Sequence, residues 1–232
     1  MKVFLDVGAH DGESLHAVRD PKYAFDRIYC FEPASACWAG LESVADDRVT
    51  VCRFGLWNRT CEHALYEAGS IGASLYEEKF RAAPGEERAQ FVRASEWFRA
   101  NLGDRDDVFL KLNCEGAEVD IVEDLLESGE LARVRSAMID PDIRKVRSLA
   151  HRERELRDRL AASGLANYFM EDEVMIGATH RERIQNWLRV AGAERRSPGS
   201  RARQLVYVVA EAARGRRQPL RAALRHRLRC RP

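Results

Sequence analysis

The chain has no Cys-x-x-Cys pair among its six cysteines (30, 37, 52, 61, 114 and 230), which excludes a zinc ribbon or a thioredoxin-type redox motif. Reduced, mostly buried thiols are expected instead. It also lacks any apolar run near the roughly 18 residues needed to cross a bilayer, and its first residues lack the charged segment and apolar core of a signal peptide. A cytoplasmic location is the expectation. Lysine is scarce: of 38 basic residues five are lysines, at 2, 22, 79, 111 and 145, and the rest are arginines. With a net charge of +1, that bias points to a GC-rich coding sequence rather than to a binding function. The 232 residues, 45% hydrophobic, suit a single α/β domain, placed at 1–213.

What is present begins at once. An apolar run, Val3-Phe4-Leu5, ends in Asp6-Val7-Gly8-Ala9-His10-Asp11-Gly12-Glu13-Ser14. A short β-branched and aromatic run followed by glycines and a polar helix start is how an open α/β sheet presents a ligand beyond a strand's carboxyl end. A dinucleotide fingerprint wants Gly-x-Gly-x-x-Gly, whose second glycine lets the backbone reach a pyrophosphate. His10 stands there, so a phosphate-free ligand fits better and NAD worse. A second run, Ile28-Tyr29-Cys30-Phe31, ends in Glu32-Pro33, which places a carboxylate where it can accept hydrogen bonds from a ribose diol. An adenosine-bearing cofactor without phosphates satisfies both facts, and S-adenosylmethionine is the obvious one.

Three ordered motifs, DVGAHDGES, CFEP and LKLNCEGAE at 110–118, together resemble the FkbM-type S-adenosylmethionine-dependent methyltransferases, with MIDPDIRKV at 138–146 as a looser fourth element. The resemblance spans about residues 3–145. Asn113 replaces the family's usual aspartate, and His10 stands where asparagine is common. The resemblance implies a Rossmann-like class I fold, a doubly wound, mostly parallel seven-stranded sheet with one antiparallel strand. It also implies methyl transfer to a hydroxyl of a sugar, glycan or secondary metabolite. No Asn-Pro-Pro-Tyr-like segment follows the fourth strand, which argues against methylation of nucleobase amino groups. A cofactor-binding subunit without catalysis is the main alternative, and methyl transfer to another small molecule a further one.

Strands are predicted near 3–7, 28–32, 49–54, 108–112 and 136–140, and helices near 13–19, 35–44, 95–102, 117–128 and 148–163. In the last helix Glu153 with Arg157 and Glu155 with Arg159 form i,i+4 pairs, and Gly164 stands as its stop. With the first strand at residue 3, no preceding segment is expected to cover the cofactor, so a lid is assigned to 59–94. That stretch is read as a hairpin of 63–66 with 73–76, then a mobile charged run over 77–90. NYFMED and QLVYVVAE are expected to pair antiparallel, with Ile184, Trp187, Leu188 and Ala191 on one helical face between them, and 194–203 as a linker. The tail 214–232, with eight arginines and no acid, reads as a basic amphipathic helix able to touch an anionic inner-membrane surface weakly, with no nucleic-acid partner expected.

The candidate cofactor-binding residues are Asp6, Gly8, Ala9, His10, Gly12, Ser14, Glu32, Pro33, Gly55, Leu56 and Asn113. Asp6 is expected to accept the loop's N–H bonds or meet the cofactor's ammonium, and the helix start with Ser14 to receive its carboxylate. Lys111, Asn113 and Glu115 alternate along the fourth strand, and Lys111 could simply pair with Glu115 or Glu118. A hydroxyl acceptor needs a base near the strand ends. His10, Glu115, Asp140 and Asp142 qualify, and Glu115 and Asp140 are preferred, then His10. No metal ligand set is assigned. Cys114 is read as buried filler, and His151 and His180 as ordinary surface residues.

Overall fold

The computed structural model describes residues 1–194. The second strand of the expected antiparallel pair (204–211), nearly all of the linker, the basic tail and Cys230 lie outside the described residues. The chain runs β1 (Lys2–Val7), α1 (Glu13–Val18), β2 (Arg27–Phe31), α2 (Ser35–Val44), β3 (Val49–Cys52), β4 (Gly55–Trp57), β5 (Cys61–Tyr66) and β6 (Glu86–Arg93). It continues through α3 (Ala94–Asn101), β7 (Asp107–Leu112), α4 (Glu118–Glu127), β8 (Ser136–Ile139), α5 (Arg152–Ala162), β9 (Tyr168–Met170), α6 (Glu171–Val174) and α7 (His180–Val190).

The central sheet has the order β3-β2-β1-β7-β8-β9, and every pairing in it is parallel. Chain progression reverses between β1 and β7, and in an open α/β sheet the ligand crevice lies beyond the carboxyl ends at that switch. β1 shows why a parallel strand reads as a nearly continuous apolar run: Val3, Leu5 and Val7 feed one core and Phe4 the other. The first core takes Val119, Ile121, Val122 and Leu125 from α4 and Leu156 and Leu160 from α5. The second takes Leu15 and Val18 from α1 and Ile184, Trp187, Leu188 and the neighbouring Ala191 from α7. The helical face expected at 184–191 is therefore the one that docks. Fully buried Trp187 packs on Phe4 at 6.0 Å between ring centres, and its Nε1 donates to Ser136 Oγ.

Several expectations need correcting. Among the described residues the central sheet has six strands, all paired parallel, and the antiparallel strand expected at 204–211 lies outside those residues. Antiparallel pairing occurs instead between β5 and β6, in a separate three-stranded sheet of order β4-β6-β5. The expected hairpin of 63–66 with 73–76 reduces to one bridge, Tyr66 with Ser74. The run read as mobile ends inside β6, along which inward Ala89 and Phe91 alternate with exposed Glu86, Arg88 and Gln90. Its charge belongs to the outer face, where Arg88 and Gln90 bond Glu62 across the ladder. β9 pairs parallel with β8. In α5 the Glu153–Arg157 pair forms, but Arg159 turns to Glu123 and Glu127 on α4, tying two helices together rather than reaching Glu155.

The small sheet is bound to the main body through buried carboxylates of α4. Asp120 accepts from Trp57 Nε1 and Tyr76 Oη, both at 2.8 Å, and meets Arg152 at 2.8 Å. Asp124 accepts from Ser95 and from Arg93 Nε. A buried carboxylate with all its partners in place holds the elements in one arrangement, because losing any partner strands a charge.

Candidate functional site

The loop after β1 is set by close backbone approach. Gly8 has φ +79°, and a Cβ built on it would stand 1.9 Å from the carbonyl oxygen of Asn113, in the loop after β7. Two N–H groups, of Gly8 and Ala9, donate to Phe31 O, which draws the same loop onto the end of β2. Beneath it, Asp6 and Lys111 are direct neighbours in register, both buried, with Lys111 Nζ 2.9 Å from Asp6 Oδ1 and donating to Gly8 O at 2.7 Å. Asp6 therefore acts on the loop through Lys111 rather than by accepting its N–H bonds, and it stands off the cavity wall. Lys111 pairs with neither Glu115 nor Glu118. Gly12, left-handed at φ +89°, caps α1 and is likewise no part of the wall. α1 itself has six residues, too few for its dipole to build an anion site.

A cavity of about 270 Å³ opens over the carboxyl ends of β1, β2, β7 and β8. This is near the lower end of the roughly 300–1,000 Å³ usual for small-molecule sites. Gly8, Ala9, His10 and Ser14 line it from the first loop, and Glu32 and Pro33 from the tip of β2. Glu32 is 6% exposed; its Oε2 accepts from His10 N at 2.8 Å and its Oε1 from Ala34 N at 2.9 Å. Burial raises its pKa, and the two N–H bonds work against that rise. Each oxygen keeps a lone pair for a further donor. Gly55 and Leu56 line the wall beside Phe31, Leu65, Leu75 and Phe91, an apolar face. Gly55 packs so closely that a Cβ there would lie 2.5 Å from the Phe91 ring.

The opposite side is polar. Asn113 Nδ2 donates to Asp140 Oδ2 at 3.3 Å, and both Arg144 terminal nitrogens approach Asp140 Oδ1 at 3.1 Å. Glu115, left-handed at φ +60°, is bound by Lys79 and, at 3.0 Å, by Lys145. Burial raises its pKa, yet the two ammonium groups outweigh that and hold the carboxyl below its usual range, which makes it a weak base and a good anchor. Asp142, nearly buried between Arg144 and Lys145, is pushed up to about 6 chiefly by burial and further by Asp140 and Glu115, against the pull of Lys145. His10, left-handed at φ +48°, reaches Gly69 O with Nε2 at 3.2 Å. Among the described residues no cluster of three or more His, Cys, Asp or Glu side chains is disposed to hold a metal ion. No helix of the described residues is long and apolar enough to cross a membrane.

Part of the segment assigned as a lid lies on this cavity: Ser70, Ile71, Ala73 and Leu75 line it. That stretch is tied at one end by His10 and at the other by Ser74 Oγ donating to Glu115 O and by Lys79. Two expectations change here. Cys114 is half-buried and lines the cavity, and His180 lines it too, with Nε2 at 2.9 Å from Ser14 Oγ. Sequence gave no signal for His180, which lies 166 positions from its partner. Arg144 and Lys145 were visible in MIDPDIRKV but carried no assigned role. Lys79 was hidden within a charged run.

Below the loop after β7, fully buried Glu118 accepts from Cys114 N at 2.6 Å and Gly116 N at 2.9 Å. Burial outweighs these bonds and pushes it up to about 7. Because the folded chain then holds a proton that the unfolded chain releases above about 4.5, this group's contribution to stability grows as pH falls from about 7 to about 4.5. Glu118→Gln removes that dependence. The stability of the parent relative to the variant, by urea denaturation, is expected to rise across that window, and a flat difference would contradict the buried proton.

No family model matches the chain, and no curated protein matches it. Among solved structures the chain is similar to methyltransferase FkbM from Methylobacillus flagellatus KT, at 18% identity and a TM-score of 0.38, over 57% of this chain. The chain spans 31% of the length of that protein.

Proposed function

We propose that the chain binds S-adenosylmethionine in the switch-point cavity and transfers its methyl group to an acceptor hydroxyl, on a sugar, glycan or secondary metabolite. The observation that carries this reading is Glu32: a buried carboxylate at the tip of β2, fixed by two backbone N–H groups and facing a cavity whose adjoining wall is apolar. A ribose diol supplies two donors and adenine a flat apolar face, which is the complement of that wall. The close approach of Gly8 to Asn113 O supports the same reading, since it draws the loops after β1 and β7 together as the floor on which such a ligand would lie.

When bound, the cofactor supplies an electrophilic methyl on a sulfonium, and the acceptor must be aligned and lose its proton. The residues of this chain divide that work. Lys111 holds the first loop through Gly8 O, Glu32 grips the sugar, and the apolar wall excludes water. Asp140, held by Asn113 and Arg144 at the polar side, takes the acceptor proton onto its carboxylate. Glu115 is committed to Lys79 and Lys145 and anchors the roof of the cavity. His10 orders the cofactor side through its N–H to Glu32. The commitment of Glu115 is also what favours the second reading, a cofactor-binding subunit without turnover.

Calorimetric titration with S-adenosylmethionine, S-adenosylhomocysteine and NAD tests the proposal. Binding of both sulfur ligands and not NAD is expected; NAD alone binding would overturn it. Glu32→Gln keeps the size but loses an acceptor and the charge, and about tenfold weaker binding is expected. Unchanged affinity would make Glu32 a brace for the loop and nothing more.

A further inference from the structure

Glu13, Ser14, Lys111 and His180 all line the cavity, and charges of both signs, Lys111 and Glu13, act on the His180 ring. Ser14 is 3% exposed, and its hydroxyl is met by His180 Nε2 at 2.9 Å. His180 Nδ1 points toward Glu13, 3.8 Å away. The imidazole is held in place from its own helix. Thr179 Oγ1 accepts from Glu182 N, the Glu182 carboxylate accepts from Ala178 N, and Ile184, Trp187 and Leu188 fix α7 in the core. Burial, and next the charge of Lys111, lower the His180 pKa, so the ring is neutral at pH 7.

A neutral imidazole and a hydroxyl share one hydrogen bond in either of two directions. If Nε2 carries the proton, it donates to Ser14 and the hydroxyl proton is free for an anionic group. If Nδ1 carries it, the hydroxyl donates to Nε2 and its lone pairs are free for a cationic one. Such a pair is matched to a zwitterion, and an α-amino acid is one.

Resting on the cofactor reading above, we propose that His180 is a positioning residue which, through the Ser14 hydroxyl, receives the zwitterionic amino-acid end of the adenosyl ligand. α7 thereby completes the ligand site from a part of the chain far from the glycine loop.

The test uses the full chain and three ligands that share adenosine: S-adenosylmethionine and S-adenosylhomocysteine, which carry the amino-acid end, and methylthioadenosine, which lacks it. In His180→Ala the first two are expected to bind about tenfold more weakly, while methylthioadenosine stays within about twofold of the parent. His180→Gln, whose amide nitrogen can stand near the Nε2 position, is expected to restore most of the loss. A role in packing alone would weaken all three ligands alike in His180→Ala, and that result, or no loss for any of them, overturns the inference while leaving the cofactor reading intact. A parent chain that binds none of the three overturns both.

Discussion

Gly8→Ala is expected to remove measurable binding of the adenosyl ligand, a loss of more than about 100-fold by calorimetry, and to lower stability by about 2–4 kcal/mol in urea denaturation. Two effects act together. An L side chain at φ +79° costs about 1–2 kcal/mol by itself. The added carbon also falls 1.9 Å from Asn113 O, a backbone atom that cannot rotate aside, so the loops after β1 and β7 must separate. Those two loops are the floor of the cavity, and a separation of even one ångström moves Ala9 and His10 away from Glu32. Gly12→Ala serves as the comparison. Gly12 shares the left-handed backbone, but its new carbon would meet side chains alone, Leu41 at 3.3 Å, Val44 at 3.6 Å and Leu15 at 3.7 Å. Equal loss in the two variants would place the effect in backbone strain and take the close approach out of the argument.

Asp140→Asn is expected to slow methyl transfer by about 10²–10⁴-fold while the affinity for S-adenosylmethionine stays within about threefold. The amide matches the carboxylate in shape and keeps an oxygen for Asn113 or Arg144, so the geometry of the site survives while the proton acceptor is lost. The readout is incorporation of label from methyl-labelled cofactor into a glycan and small-metabolite extract, beside calorimetry on the same preparation. Full turnover in the variant would remove Asp140 from the chemistry. A parallel collapse of affinity would assign it to building the pocket.

The parallel strands and the cavity floor were legible because their signals are local. Apolar runs at 3–7, 28–32 and 108–112 each end in polar or glycine residues, and the structure ends strands at Val7, Phe31 and Leu112. Glu32, Gly8 and Asn113 follow those ends directly, so their meeting over the sheet needed only the strand order. What was missed depends on distance along the chain. β6 hid because its solvent face is charged and its partner, β5, lies twenty residues back across an irregular stretch. His180 reaches Ser14 only after α7 has packed against α1, which no local pattern announces. The pairing of Lys111 with Asp6 rather than Glu115 or Glu118 was likewise a matter of register between strands a hundred residues apart.

That same pairing governs how faithfully the centre of the sheet assembles. β1 and β7 are both apolar almost throughout, so most of their length would tolerate sliding past one another by a step. A shift of one residue sets the ammonium of Lys111 against Leu5 or Val7 and leaves the carboxylate of Asp6 alone in hydrocarbon, at a cost of several kcal/mol. The buried Asp6–Lys111 pair, with Lys2 and Asp107 also in register at the outer end of the seam, thus works as a locating pin: misaligned versions of the strand pair are rejected during assembly, and the ends of both strands arrive level with each other.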